Sequence, residues 1–345
     1  MKIKHYLPIL ALIFLASCSE DDNKDGGLTA DEAKDQINAI ADNLGNDVVT
    51  MVQSEGVEGA LDLVDLLDNS TVFGRISPYQ TDANKQFFTQ QSSKLAHYFT
   101  NGVAQLLGEE PVDFTEKKDI YEWDPTIGDF VPQHAEVDFV EIRFPVEEST
   151  TNNGVFRLEK FEVVEIDGEE LPTAIEANLT IDGGDPVIDL SFVVNYDSNG
   201  NPELADIYLA VLPFALDVSF NNTNASSTSL DASLLLEGEN LLGIDVTVEF
   251  DSDEKLEPVS ISGEVSYRNL RIVGNANLTF DINVDDPNEF FDLALFIGFD
   301  KAGDIVFIED VAHVEYADGS VEILEEILAS VITEIEETFT EIGID

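Results

Sequence analysis

With 345 residues, 43% of them hydrophobic, the chain is long enough for one large core or two modest ones, which excludes wholesale disorder. Its 16 lysines and arginines stand against 71 acids, a formal net charge of -55. That balance excludes binding to nucleic acid or attraction to anionic headgroups, both of which need clustered cations, and predicts a saline or cation-rich setting where self-repulsion is screened.

In chain order, Lys2 and Lys4 precede an apolar stretch from Leu7 to Leu15. It is too short to span a bilayer as a stable helix and suits the core of a secretory signal over residues 1–17. It ends in Leu15-Ala16-Ser17-Cys18, and Cys18 is the chain's one cysteine, so no intrachain disulfide forms. This segment resembles the lipobox of bacterial lipoproteins. The resemblance implies diacylglyceryl on the Cys18 sulfur, cleavage before Cys18, and a further acyl chain such as palmitate on the new N-terminus. Several chains anchor durably where one does not, at roughly 0.8 kcal/mol per buried methylene. The plainer alternative is an ordinary signal that happens to contain a cysteine.

Residues 18–27 read as a flexible acidic tether. Ser19 is not the aspartate that resembles an inner-membrane retention signal, and the acidic run from Glu20 to Asp22 looks like the surface-export signal of Bacteroidetes lipoproteins. Together they imply a lipid-anchored protein of the outer membrane facing the cell exterior. A plain solvated tether is the alternative.

Residues 28–110 are predicted helical. Thr29 and Glu32 have capping-box spacing, and Ala33, Ile37, Ile40 and Leu44 recur at helical period. A second run leads from Val57 through Leu61, Val64 and Leu67. A third, carrying Phe88, Leu95, Phe99, Val103 and Leu106, stops at Gly108 and Pro111.

Over 111–318 the period changes to two, which predicts about a dozen strands joined by short turns in an antiparallel meander. Ile175, Ala177, Leu179 and Ile181 share one side of a strand; Glu176, Asn178, Thr180 and Asp182 share the other. Apolar residues alternate over a long stretch from Tyr208 to Phe220. The string Ile175–Asp182 is echoed by Leu230–Glu237 and Gly274–Asp281, and each is followed by a strand opening at Asp189, Asp245 or Asp292. A duplicated hairpin module explains this, as does convergence of amphipathic strands on similar strings.

Residues 319–345 are predicted to form an amphipathic helix capped by Ser320, with Val321, Leu324, Leu328, Val331, Ile335, Phe339 and Ile342 on its apolar side. The expected fold class is therefore α+β. A large antiparallel meander sheet, curved or partly closed as a barrel, has its apolar face covered by the N-terminal and C-terminal helices. An acidic outer face excludes a membrane-spanning barrel.

Signals for chemistry are sparse. The histidines are His5, which leaves with the signal, and His97, His134 and His313, with no second histidine or cysteine at metal-ligand spacing. No Gly-x-Ser-x-Gly elbow or phosphate-binding glycine loop occurs, so no catalytic residue and no cofactor are expected. Asp197-Ser198-Asn199-Gly200-Asn201 alternates oxygen ligands as calcium loops do, yet Asn-Gly is also a hairpin turn, and that reading fits better. Asp251–Glu254 and Asp285-Asp286 are similar acidic tips where weak surface calcium binding is conceivable. The one tryptophan, Trp123, sits in a short hairpin, and the 22 phenylalanines fall mainly on inward positions.

The lipobox, the helical stretch, the Tyr121-x-Trp123 hairpin, the strand Ile142-Arg143-Phe144-Pro145 and the long meander together look like uncharacterised lipoproteins of Bacteroidetes. That resemblance implies a habitat and no activity. The expected role is non-enzymatic binding or structural work at the surface, with the membrane as partner through Cys18 and any protein or apolar ligand unidentified. An apolar-ligand carrier with its cavity between sheet and helices is the first alternative. A carboxylate-based extracellular hydrolase is the second.

Overall fold

Sixteen strands among the described residues pair in one unbroken order. They are β1 (Asp119–Asp124), β2 (Asp129–Pro132), β3 (Val140–Phe144), β4 (Gly154–Ile166), β5 (Glu169–Ile181), β6 (Pro186–Tyr196), β7 (Pro202–Val211) and β8 (Phe214–Asn221). After these come β9 (Ser227–Leu236), β10 (Glu239–Phe250), β11 (Pro258–Tyr267), β12 (Leu270–Asn277), β13 (Phe291–Ile297), β14 (Asp300–Ile308), β15 (Val311–Tyr316) and β16 (Val321–Ile323). Three helices accompany them: α1 (Ala30–Ala41), α2 (Glu55–Asp68) and α3 (Leu324–Ile327). The structure, a computed structural model, describes residues 28–41, 47, 50, 54–68, 117–146, 149–252, 255, 257–278, 287–309, 311–329, 331 and 333. The signal 1–17, Cys18, the tether 18–27, the third helical run, His5, His97, Asp253, Glu254, Asp285 and Asp286 lie outside the described residues.

The fold is α+β, a large meander sheet with few helices, and it is not closed into a barrel: the order runs from β16 down to β3 and ends at β1 and β2. One pairing departs from the antiparallel expectation. β1 lies parallel to β3, with Asp119 opposite Val140 and Tyr121 opposite Ile142. The reason lies in the return of the chain after the β1–β2 hairpin. The Asp119 carboxylate accepts backbone N–H bonds from His134 (3.0 Å), Ala135 (2.7 Å) and Ile120 (2.8 Å), which pins the crossing segment beside the start of β1. His134 there adopts a left-handed backbone, φ +55°.

The long alternating stretch from Tyr208 to Phe220 is two strands, because Leu212-Pro213 forms the turn between β7 and β8. Proline has no N–H to donate and cannot continue an interior ladder. The predicted cap of the last helix is also corrected. Ser320 sits in a turn, where its N–H (2.9 Å) and hydroxyl (2.5 Å) both donate to Asp318 Oδ1. Val321–Ile323 then pairs with β15 as β16, and the helix starts only at Leu324. Of the predicted apolar side, Leu324 and Val331 are buried and Leu328 is half-buried, but Val321 is exposed on β16 and Ile327, outside that row, is buried. Ile335, Phe339 and Ile342 lie outside the described residues.

The chain divides into two compact units, with the division passing through β7 and β8. In one unit, the core joins α2 to β1–β6. Two rows cross these strands, Tyr121–Ile142–Phe156–Leu179–Ile188 and Val140–Leu158–Ala177–Leu190. All but half-buried Phe156 are buried, and Ala60, Leu63 and Leu67 of α2 cover them. Gly56 and Gly59 let the helix approach closely. A Cβ on Gly56 would stand 2.7 Å from the Val187 carbonyl oxygen, and one on Gly59 3.1 Å from Leu179 Cδ2 and Ile181 Cδ1. The buried side of α2 is thus Gly56, Gly59, Ala60, Leu63 and Leu67. Of the predicted run, Leu67 is buried, Val57 and Leu61 are only half-buried, and the Val64 side chain lies outside the described residues.

In the other unit, α1 lays Ala33, Ile37 and Ile40 on Leu293, Leu295, Ile305 and Val314 of β13–β15. The capping box forms: Thr29 N–H (3.0 Å) and Oγ1 (2.8 Å) donate to Glu32 Oε2, and Glu32 N–H (3.4 Å) donates to Thr29 Oγ1. These bonds, the Thr29 backbone first, hold the Glu32 carboxyl below its ordinary range.

The echoed strings fall at the ends of β5 and β9 and, for Gly274–Asn277, of β12, with residues 279–281 outside the described residues, but their partners do not all align. Asp245 faces Asp231 and Asp292 faces Asn275, the second position of each string. In the first copy Asp189 faces Asn178, the fourth position. A shift of two residues preserves which side is apolar, since side chains alternate with period two.

Candidate functional site

Arginine is scarce here, five residues in the chain, and each of the four that are described meets a carboxylate. The most enclosed of these acids is Glu141 on β3. Strand alternation sends its neighbour Ile142 into the α2 core and Glu141 to the opposite side, where register sets Arg157 of β4 directly across from it. Arg143, two residues on, shares that side. Its Nε donates to Glu141 Oε1 at 2.7 Å, and Arg157 reaches Oε2 through Nε (3.0 Å) and Nη2 (2.5 Å). Arg143 Nη1 also meets Glu122 Oε1 at 3.0 Å, and the Arg157 guanidinium lies 4.3 Å over the Phe139 ring. The Glu141 side chain is left 2% exposed. Burial pushes its carboxyl up, but the hydrogen bonds and charges of Arg157 and Arg143 outweigh that and hold it below the ordinary range. Glu141 in turn raises Arg143.

A second clasp joins distant parts of the other unit. Arg268 occupies the β11–β12 turn at φ +51°, where its N–H donates to the Leu241 carbonyl at 2.7 Å. Its Nη2 meets buried Asp47 Oδ1 at 2.6 Å and its Nε meets Oδ2 at 3.1 Å, while the Tyr267 hydroxyl donates to Oδ2 at 3.2 Å. The Tyr267 phenol is pushed up to about 12, first by burial and then by the Asp47 charge. Beside this clasp lies an open groove of about 480 Å³, lined by Gln36 and Ile40 of α1, Glu239 and Asn240 of β10, and Arg268 and Asn269. Asn240 Nδ2 donates to buried Ser266 Oγ at 3.3 Å. Three carboxamides, each both donor and acceptor, share this lining with the Glu239 carboxylate and with a guanidinium already paired to Asp47, so the groove offers hydrogen bonds of both kinds and disfavours anions.

The residues singled out in the sequence do not come together. His134 is exposed on the crossing segment, its Nδ1 3.8 Å from Asp119. His313 Nδ1 lies 2.8 Å from the Val311 carbonyl on β15. Asp197 sits in the β6–β7 turn and is surrounded by donors of that turn. Oδ1 accepts the N–H of Asn199 (2.8 Å) and Asn201 (2.9 Å), and Oδ2 accepts the amide of Asn201 (3.1 Å). The Asn201 side chain, then its backbone, holds the Asp197 carboxyl low. With Gly200 at φ +81°, these bonds account for the segment as a turn. Among the described residues, no three His, Cys, Asp or Glu side chains group to hold a metal ion, and no helix is long and apolar enough to cross a membrane. Comparison with protein-family models, with curated proteins and with solved structures finds no match for this chain.

Neither clasp was anticipated from the sequence. The signal for the first was an acid and an arginine two apart on a strand, Glu141 and Arg143, in a chain that spends arginine sparingly.

Proposed function

We propose that this chain is a lipid-anchored protein of the bacterial cell envelope, displayed at the surface, whose acidic sheet binds a partner or serves structurally without catalysing a reaction. The anchored part of this reading rests on the lipobox-like Leu15-Ala16-Ser17-Cys18 and the acidic run behind it. The observation that carries the non-enzymatic part is Glu141. A general acid at neutral pH needs its carboxyl raised and a face open to substrate. Glu141 has neither: two arginines lower it and close it off. If the role is binding, the amide-lined groove beside Arg268 is its natural seat.

Two measurements test the reading. Mass spectrometry of the mature N-terminus, with Cys18→Ala as comparison, is expected to find acylation at Cys18 that the variant lacks; an unmodified thiol on membrane-free protein overturns the anchor. A broad hydrolase screen on the purified protein is expected to give no turnover, and turnover through any residue overturns the non-enzymatic part. The carrier alternative finds no support along α2, where Gly56 and Gly59 bring the helix into direct contact with the sheet. Lipid co-purifying in native mass spectrometry would revive it.

A further inference from the structure

We propose that the β13–β14 hairpin tip, with Phe299 foremost, rests in the surface of the bilayer that holds the anchor. This deepens the anchored reading above and rests on it. Phe299 is fully exposed, 102% of its reference surface. Single exposed apolar residues are ordinary, so exposure alone carries nothing; chemistry and position set this one apart.

The tip is a two-residue turn closed by the Ile297–Asp300 pair, and only its first central residue, Gly298, has a positive φ, +63°. Such a turn requires the glycine and leaves the second position free for a polar residue. Phenylalanine there contributes nothing to the turn. The tip is also held in place: Gly298 N–H donates to the Asn269 carbonyl at 2.6 Å, and Arg271 Nη2 donates to the Gly298 carbonyl at 3.3 Å. A fixed tip presents its ring at little conformational cost.

Position supplies the occupant. The chain enters this unit beside the same tip, since Leu28 N–H donates to the Lys301 carbonyl at 3.3 Å, two residues beyond Phe299. The segment from Cys18 to Leu28 spans at most about 36 Å however it is arranged. An acyl anchor on Cys18 therefore keeps the tip near the bilayer, at an effective concentration of order millimolar. Partial burial of a phenyl ring then favours contact by roughly tenfold, enough to orient a protein already tethered. The acidic surface opposes anionic lipid, so the contact suits a zwitterionic bilayer.

The test uses the mature chain extracted from its membranes and reconstituted in phosphatidylcholine vesicles. Phe299→Trp adds a reporter to the single native Trp123, whose emission in the parent protein is subtracted. Asn224→Trp, in the β8–β9 turn at the opposite strand ends, is the control. With bromine-labelled phosphatidylcholine, the Phe299→Trp emission is expected to be quenched and the Asn224→Trp emission unchanged. Equal quenching of both reporters, or of neither while the protein stays on vesicles, overturns the proposal. Intact mass separates this from failure of the anchor. If Cys18 carries no acyl chain the anchored reading falls, and coupling that thiol to a maleimide phospholipid still decides whether the tip meets lipid.

Discussion

Arg157 stands directly across the β3–β4 ladder from Glu141, with its Nη2 2.5 Å from Glu141 Oε2. Removing it leaves a carboxylate with almost no access to water and one remaining partner. Breaking a fully buried pair costs about 3–5 kcal/mol; because the Arg157 side chain is 38% exposed, Arg157→Ala is expected to cost about 2–3 kcal/mol. Urea denaturation midpoints check it.

The same clasp predicts a pH dependence. The folded-state Glu141 carboxyl lies below its unfolded value of about 4.3, so the stability it contributes is present above that value. It is lost as pH falls through the folded value. The stability gap between the wild type and Glu141→Gln should therefore be constant from neutral pH to about 5 and shrink below about 4. A gap that widens in acid would contradict the assignment.

Asp119→Asn tests the crossing segment. The carboxylate accepts three backbone N–H bonds, and these, Ala135 first, outweigh burial to hold it low. An amide oxygen replaces one acceptor and its NH2 faces a donor, so a loss of about 1–3 kcal/mol is expected. Hydrogen exchange at the His134 and Ala135 amides should accelerate more than exchange in β5 and β6.

Gly56→Ala and Gly59→Ala separate backbone crowding from side-chain crowding. The first methyl meets a carbonyl oxygen that already accepts the Leu212 N–H at 2.9 Å, and neither partner can turn aside. The second meets the ends of Leu179 and Ile181, which can rotate. Alanine gains roughly 1 kcal/mol of helix preference at either site. Overpacking costs about 1–3 kcal/mol, so Gly56→Ala should destabilise clearly and Gly59→Ala come out near neutral in thermal unfolding.

Tyr267 should ionise well after ordinary tyrosines in an ultraviolet pH titration, its phenol standing at about 12. Because the folded value exceeds the unfolded value of about 10, its contribution to stability is complete below 10 and is lost as pH rises towards 12. Asp47→Asn removes a charge that disfavours the phenolate, so it should move this ionisation down.

Local features were legible because they repeat over a few residues. The Thr29–Glu32 box, the change of period from helix to strand, and the inward rows of β5 all follow from spacing along one segment. The β7–β8 split was missed because alternation continues through Pro213, and only the absent N–H marks the turn. Ser320 misled for a related reason: a hydroxyl before an apolar run reads as a cap, but Asp318 captures it two residues away.

The sequence by itself determined which side of β5 is greasy, the turns at Asp124–Gly128 and Asp197–Asn201, the net negative charge, and the motif at Cys18 on which the anchoring proposal rests, because each is written in neighbouring residues. It predicted about a dozen strands where sixteen pair among the described residues. Only the tertiary structure decided which acid receives each arginine, that β3 runs parallel to β1, and that one echoed hairpin is offset by two residues from the others. Asp47 and Arg268 are 221 positions apart, and no local pattern relates them. Their meeting follows from strand register and helix docking, which are selected by the packing of many side chains at once.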